Sequence, residues 1–238
     1  MRKLLPALLF ALLPTASFAH GIWITDRFGE PSIVYGHGAS DDAYQAEKLK
    51  SVQIHTSDGK VSKGETRETD SYIKLKIPQK TQAVTAAFDN GYWTKDAKGK
   101  WHNLKKSEVE NPVSSGHYFK YTTHIPLGAT ALEKPFGLPL EIYPLQNPHT
   151  MEQGDKLALR VLLNNEPAKG LKVIADYIND EAATKLITDD KGEVSITIRN
   201  QELNVIAVST TKELKDKTHA DEEGYFSTLS FTLEHKHH

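Results

Sequence analysis

The 238-residue chain contains no cysteine. Disulfide staples, thiolate metal sites, cysteine nucleophiles and thiol-linked lipid anchors are therefore excluded together. A metal held by this protein must use nitrogen or oxygen donors. Methionine is nearly as scarce, with two residues of which one is the initiator, and this argues against a soft Cu(I) site but not against Cu(II). Neither sign of charge dominates: 29 Lys and Arg face 31 Asp and Glu, a formal net charge of -2. The positive excess that nonspecific nucleic-acid binding needs is missing, so no nucleic acid partner is expected. The chain also lacks a Gly-x-Ser-x-Gly elbow, a His-Glu-x-x-His zinc helix and a glycine-rich phosphate loop after a strand. The paired carboxylates Asp41-Asp42, Asp189-Asp190 and Glu222-Glu223 sit in polar connections where solvation is the default. Nothing here requires an enzyme.

What is present begins with a leader. Residues 1–19 read as a signal peptide: Arg2 and Lys3 give the positive start, Leu4 to Leu13 the apolar stretch, and Ser17 and Ala19 the small residues before a cleavage site. The apolar stretch, interrupted by Pro6, is far shorter than the ~20 residues that span a bilayer. No later segment approaches its hydrophobicity, so the mature chain is expected to be soluble and periplasmic. The leader holds two basic side chains and no acidic one, which leaves a mature formal charge of -4.

Cleavage after Ala19 would make His20 the first residue. Its α-amine, with a reference pKa near ~8, and its imidazole, near ~6.5, can both lose a proton to a metal. One residue then offers two nitrogens, a donor set suited to Cu(II) or Ni(II) rather than to the oxygen cages of Ca²⁺. The alternative is that processing merely leaves a histidine there.

Along the chain the hydrophobic period is two. Ser71 to Ile77, Lys156 to Leu162, Val194 to Ile198 and Thr228 to Leu233 alternate as half-buried strands do. Turn signals are expected at Asp58-Gly59, Asn90-Gly91, Lys98-Gly99, Lys169-Gly170 and Lys191-Gly192. Helix is expected only in Asp41 to Lys50 and Glu181 to Leu186. The expected fold is all-β with two domains, divided near Pro144 to Pro148. Residues 20–147 would form a strand-rich, metal-binding domain. Residues 148–233 would form an immunoglobulin-like β-sandwich, followed by a His-rich tail over 234–238.

Eleven histidines are the outlying count. His37 lies between Gly36 and Gly38, which let other groups approach the imidazole, and a short hairpin turning at Gly29 to Pro31 would bring it to His20. A core or turn histidine fits the same pattern. His117 and His124 are seven apart, so in an uninterrupted strand they face opposite sides and cannot both hold one ion. Both remain candidate ligands, with at most one in a shared site unless a bulge intervenes. His102, in the connection after Trp101, is a candidate to fold over the site. His55, His149 and His219 read as structural or loop residues. The tail His235-Lys236-His237-His238 reads as a disordered end and at most a metal-collecting accessory.

Several segments occur in a familiar order: His20-Gly21-Ile22-Trp23, Gly36-His37-Gly38, Gly91-Tyr92-Trp93-Thr94, Leu138 to Leu145, Gly154-Asp155 and Thr188 to Gly192. Together they resemble the periplasmic nickel/cobalt uptake component family, the NikK/NikM-like proteins that accompany energy-coupling-factor transporters. The resemblance spans nearly the whole mature chain. Its most specific elements are the exported amino-terminal histidine and Leu140-Glu141-Ile142-Tyr143-Pro144. It implies a two-domain β protein that binds Ni²⁺ or Co²⁺, passes it to a membrane permease and does not hydrolyse ATP. His20 and His37 match the family's pattern, whereas neither His117 nor His124 can be matched to a family ligand. The alternatives are a copper-binding histidine-brace protein, either a Cu²⁺ carrier or an oxidase, and a metal-free structural sandwich. No regular aromatic strip is legible that would build the flat substrate face of a brace oxidase.

Overall fold

The computed structural model describes residues 20–130, 132, 134–180 and 185–233. The leader and the His-rich tail lie outside the described residues. Among the described residues, seventeen strands carry the fold. The first eight are β1 (Gly21–Arg27), β2 (Glu30–Gly36), β3 (Leu49–Thr56), β4 (Val61–Lys63), β5 (Glu65–Glu68), β6 (Ile73–Lys76), β7 (Thr81–Asp96) and β8 (Trp101–His102). Next come β9 (Pro112–Ile125), β10 (Leu140–Pro144), β11 (Lys156–Leu163), β12 (Glu166–Pro167) and β13 (Lys172–Ile174). The last four are β14 (Leu186–Ile187), β15 (Glu193–Thr197), β16 (Leu203–Glu213) and β17 (Glu222–Thr232). Helical structure among the described residues amounts to three 3-10 turns, at Ala46–Lys48, Lys106–Glu108 and Pro148–Thr150. The protein is all-β, and no helix among the described residues is long and apolar enough to cross a membrane.

These strands form three sheets. A nine-stranded sheet runs β14-β13-β16-β17-β9-β7-β3-β4, with β8 added to β7. Its one parallel junction joins β17 to β9, from Glu222 opposite Gly116 to Phe231 opposite Ile125. The sheet is thus continuous from strands before residue 147 to strands after it. A four-stranded sheet, β1-β2-β6-β5, packs on one face. Ile22, Ile24 and Ile33 there bury against Val84, Ala86 and Phe88 of β7, while Trp23 and Val34 bury against Val205, Ala207 and Phe226. The other face packs on β10, β11 and β15, where Leu140, Ile142, Leu157 and Leu159 meet Ile206, Val208, Leu229 and Phe231. The alternation in Lys156 to Leu162 has this cause, since every second residue enters that core.

Two expectations need correction. Asn90-Gly91 is not a turn: β7 runs through it, and the register against β9 slips between Asp89 and Gly91. The slip is a β-bulge in which Gly91 takes φ of 82°, the left-handed conformation that the same dipeptide supplies to hairpins. Asp41 to Lys50 forms no α-helix, because only Ala46–Lys48 makes a 3-10 turn before β3 begins at Leu49. Of Glu181 to Leu186, residues 181–184 lie outside the described residues, and Leu186 opens β14.

Candidate functional site

A tight hairpin brings His20 and His37 together. β1 and β2 pair from Arg27 opposite Glu30 to Gly21 opposite Gly36, so the residues just beyond, His20 and His37, emerge side by side. The register is set by a two-residue loop, Phe28-Gly29, with both residues at positive φ (55° and 78°) as the strand twist demands. The two imidazole centroids are 5.8 Å apart. His20 also stacks on Tyr35, with centroids 5.1 Å apart, and Tyr35 stacks in turn on Phe88 at 5.5 Å.

After His37 the chain doubles back. The His37 N–H donates to Ser40 Oγ at 2.7 Å, and the Ser40 N–H returns to the His37 carbonyl at 3.1 Å. A Cβ on Gly36 would collide with the Ser40 backbone, so only glycine permits this turn. Asp42 is thereby fixed, with its N–H on the Tyr35 carbonyl at 2.8 Å. Its Oδ2 lies 3.0 Å from His20 Nε2 and accepts the Ser40 hydroxyl at 3.1 Å. A carboxylate only accepts, which assigns the imidazole proton to Nε2 and leaves the lone pair on Nδ1. His20 Nδ1 is buried and without a hydrogen-bond partner. Burial lowers the His20 pKa, the Asp42 bond opposes that shift, and the charges of His37 and Lys120 add to it. The result is an imidazole biased toward its neutral form, with Nδ1 as its open nitrogen. A metal bound by Nδ1 and the residue's own α-nitrogen closes the smaller of the two possible chelate rings, through Cα, Cβ and Cγ.

The floor comes from distant parts of the chain. Tyr177, fully buried, accepts the Gly21 N–H at 3.1 Å and donates to the Gly36 carbonyl at 3.0 Å, pinning the residues next to both histidines. Its ring stands edge-on to His37, at 6.4 Å between centroids. Lys120 of β9 is 1% exposed and its Nζ lies 5.1 Å from the Phe226 ring centroid. Burial, with the charge of Lys48 second, brings its amine down to about 7. Lys48 itself donates to Asn90 Oδ1 at 3.1 Å, which also accepts the Tyr35 hydroxyl at 3.2 Å.

The remaining histidines are engaged elsewhere. His117 Nε2 sits 2.8 Å from Asp89 Oδ1 and the ring stacks on Tyr92 at 4.1 Å. His124 Nδ1 sits 3.0 Å from Ser230 Oγ, and burial, with nearby His149 second, pushes its pKa down to about 4. β9 is unbroken between the two, so they face opposite sides of the sheet as their odd spacing requires. Among the described residues no three His, Asp or Glu side chains gather as a metal cage, so His117 and His124 do not join His20 and His37 in one. His102 pairs with Asp96 at 2.9 Å, His149 Nε2 with the Pro126 carbonyl at 2.9 Å, and His219 Nδ1 with Ser107 Oγ at 3.2 Å. Sequence reasoning missed Asp42 and Tyr177. The signal for Asp42 was the run Gly-His-Gly-Ala-Ser-Asp, a tight turn after a candidate ligand, whereas nothing local marks Tyr177.

Fold and site define an all-β protein whose first hairpin presents a paired-histidine end, one imidazole nitrogen of which is open. The chain belongs to the family described as Domain of unknown function (DUF4198), which matches residues 17–212 and so takes in His20, His37, Asp42 and Tyr177. It is similar to a Haemophilus influenzae (strain ATCC 51907 / DSM 11121 / KW20 / Rd) protein described as "Uncharacterized protein". The two are 26% identical over 204 residues, 83% of each chain.

Proposed function

We propose that this protein is a periplasmic binding component for a divalent transition metal, Ni²⁺ or Co²⁺, which it delivers to a membrane permease. Processing after Ala19 frees the α-amine of His20, and the ion is held by that amine, His20 Nδ1 and the His37 imidazole. The observation that carries the reading is the orphaned, buried His20 Nδ1 with its Nε2 committed to Asp42. A ligating histidine is ordinarily held this way, one nitrogen on a carboxylate and the other on the metal. The amine is not a side chain, so the set is compatible with the lack of a three-side-chain cage among the described residues. The resemblance to nickel/cobalt uptake components and the likeness of the first nineteen residues to an export signal support the same reading. The metal is cargo, and no catalytic step is needed.

Intrinsic affinity in a nitrogen site rises toward copper, so cellular supply and geometry choose the ion. The test is metal analysis and titration of protein whose first residue is His20, against Ni²⁺, Co²⁺, Cu²⁺ and Zn²⁺. Stoichiometric Ni²⁺ or Co²⁺ binding is expected. Retention of Cu²⁺ alone would favour the copper carrier, and no binding of any ion would refute the site.

A further inference from the structure

A cavity lies on the sheet face opposite His20. A cleft of about 550 Å³, within the range of small-molecule sites, is lined by His55, Gln82, Lys60, Leu132, Lys134 and Phe136 among others. One wall is held by the Glu141 carboxylate, which accepts the N–H groups of Phe136, Gly137 and Leu138 at 2.8, 2.8 and 3.1 Å. Farther along, Gln82 Oε1 accepts the Thr130 N–H at 2.8 Å, and Asn147 Nδ2 donates to the Ala129 carbonyl at 2.9 Å. These bonds tie the connection between β9 and β10 to the sheets before any ligand arrives. The floor is His55, 9% exposed, whose Nε2 sits 3.0 Å from Thr85 Oγ1 and whose ring centroid lies 4.7 Å from that of Phe136. Its Nδ1 makes no hydrogen bond among the described residues.

The charge of the cleft has one sign. None of its described lining residues is Asp or Glu. Lys60 is matched by Asp58 at 2.7 Å, whereas Lys134 has no ion pair among the described residues. An anion is therefore favoured, and the rings of Phe136 and His55 with Leu132, Pro135 and Val61 favour a flat apolar body behind it.

We propose that this cleft binds a small organic carboxylate with a flat apolar body, its ring against Phe136 and His55 and its carboxylate between His55 Nδ1 and Lys134. The site is separate from the His20 pair and does not depend on the metal reading. Burial lowers the His55 pKa, which keeps the empty floor neutral and leaves Lys134 to supply the charge.

Benzoate is the probe, titrated into the full mature chain while the His55 imidazole resonances are followed by NMR. Saturable shifts at His55 are expected, with benzamide, equal in shape and uncharged, binding about tenfold more weakly or less, as loss of a charge-assisted hydrogen bond implies. Lys134→Gln, on the rim, should weaken benzoate about tenfold by the same reasoning. Phe136→Leu should weaken it as well, whereas His20→Ala should leave it unchanged. Absence of saturable shifts, equal binding of benzamide, or an unaltered affinity in Lys134→Gln would each overturn the proposal.

Discussion

On the face of the nine-stranded sheet turned to β10, β11 and β15, the sheet presents Ile206, Val208, Leu229 and Phe231 to an aliphatic layer, with small hydroxyl side chains, Thr85, Thr123 and Ser227, buried between them. On the face turned to β1 and β2, the same strands present Lys120, Thr122 and Thr228, all buried, beside Phe88 and Phe226. There the Thr228 hydroxyl donates to the Ile22 carbonyl at 2.6 Å and lies 2.8 Å from the Thr122 hydroxyl. The first face is stabilised chiefly by apolar burial and buries no charged side chain to hold β1. The other trades some of it for a polar underlay that fixes β1, and with it His20. Damage to the first face should lower stability and leave the site's chemistry intact, and damage to the second should do the reverse.

The largest effect should come from moving one atom group on the polar face. A residue added before His20 converts its amine to an amide while sparing the imidazole, Asp42 and every core contact. Calorimetric titration should show Ni²⁺ affinity reduced by about 100-fold or more, with an unchanged melting temperature, because metal binding depends on nitrogens that can shed their protons. Equal affinity in the extended protein would remove the amine from the site. On the aliphatic face, Leu157→Ala should cost about 2–5 kcal/mol in chemical denaturation, since Leu157 is fully buried in that core. The folded fraction should bind metal as before.

Tyr177→Phe tests the seam between the two faces, because a residue from the turn after β13 holds the first hairpin. Removing its hydroxyl leaves the Gly21 N–H and Gly36 carbonyl short of a partner, at about 1–3 kcal/mol per buried group. Stability and metal affinity should both fall, and the visible absorption of bound Ni²⁺ or Co²⁺ should shift. Tyr225→Phe, which removes a hydroxyl bonded to Glu223 away from the site, should leave that spectrum alone. Asp42→Asn is narrower still. Asp42 is half exposed, so stability should hold, while the loss of the carboxylate behind His20 should weaken metal binding about 10–100-fold.

Much of this was legible in the sequence because it is local. The period of two in Lys156 to Leu162 records burial on one side of β11. A hairpin between His20 and His37 was legible as well, although its loop is Phe28-Gly29 rather than the expected Gly29 to Pro31, and that shift is what sets the two histidines side by side. Asn90-Gly91 misled because bulge and hairpin ask for the same positive φ, and only the partner strand tells them apart. Asp42 stayed hidden because a carboxylate in a polar turn looks solvated until the turn is seen to fold back. Tyr177 and the parallel junction of β17 with β9 were illegible for a different reason. Tyr177 and Gly36 are 141 residues apart, and no periodicity encodes which distant strand becomes a neighbour. The junction bears on dissection too: a chain cut at residue 147 would leave β9 without β17 and the hairpin without Tyr177.

The smallest effect concerns protons. His124 lies on the same sheet face as Lys120, away from the His20 pair, and its folded pKa is pushed down to about 4 from an ordinary value of 6.5 by burial and by His149. The folded state therefore resists a proton that the unfolded chain accepts. Its contribution to stability is complete above pH 6.5 and is lost as pH falls from there toward 4. His20 and His55, also lowered by burial, act in the same direction. Thermal melts of the metal-free protein should show the midpoint falling across that window, and His124→Gln, which keeps a polar partner for Ser230 but cannot titrate, should flatten the slope. Metal affinity above pH 6.5 should be the same in this variant as in the parent, because His124 is not among the proposed ligands. If His124→Gln instead left the acid slope unchanged and abolished Ni²⁺ binding, His124 would have to be a ligand, and the division of labour between the His20 pair and the rest of that face would fail.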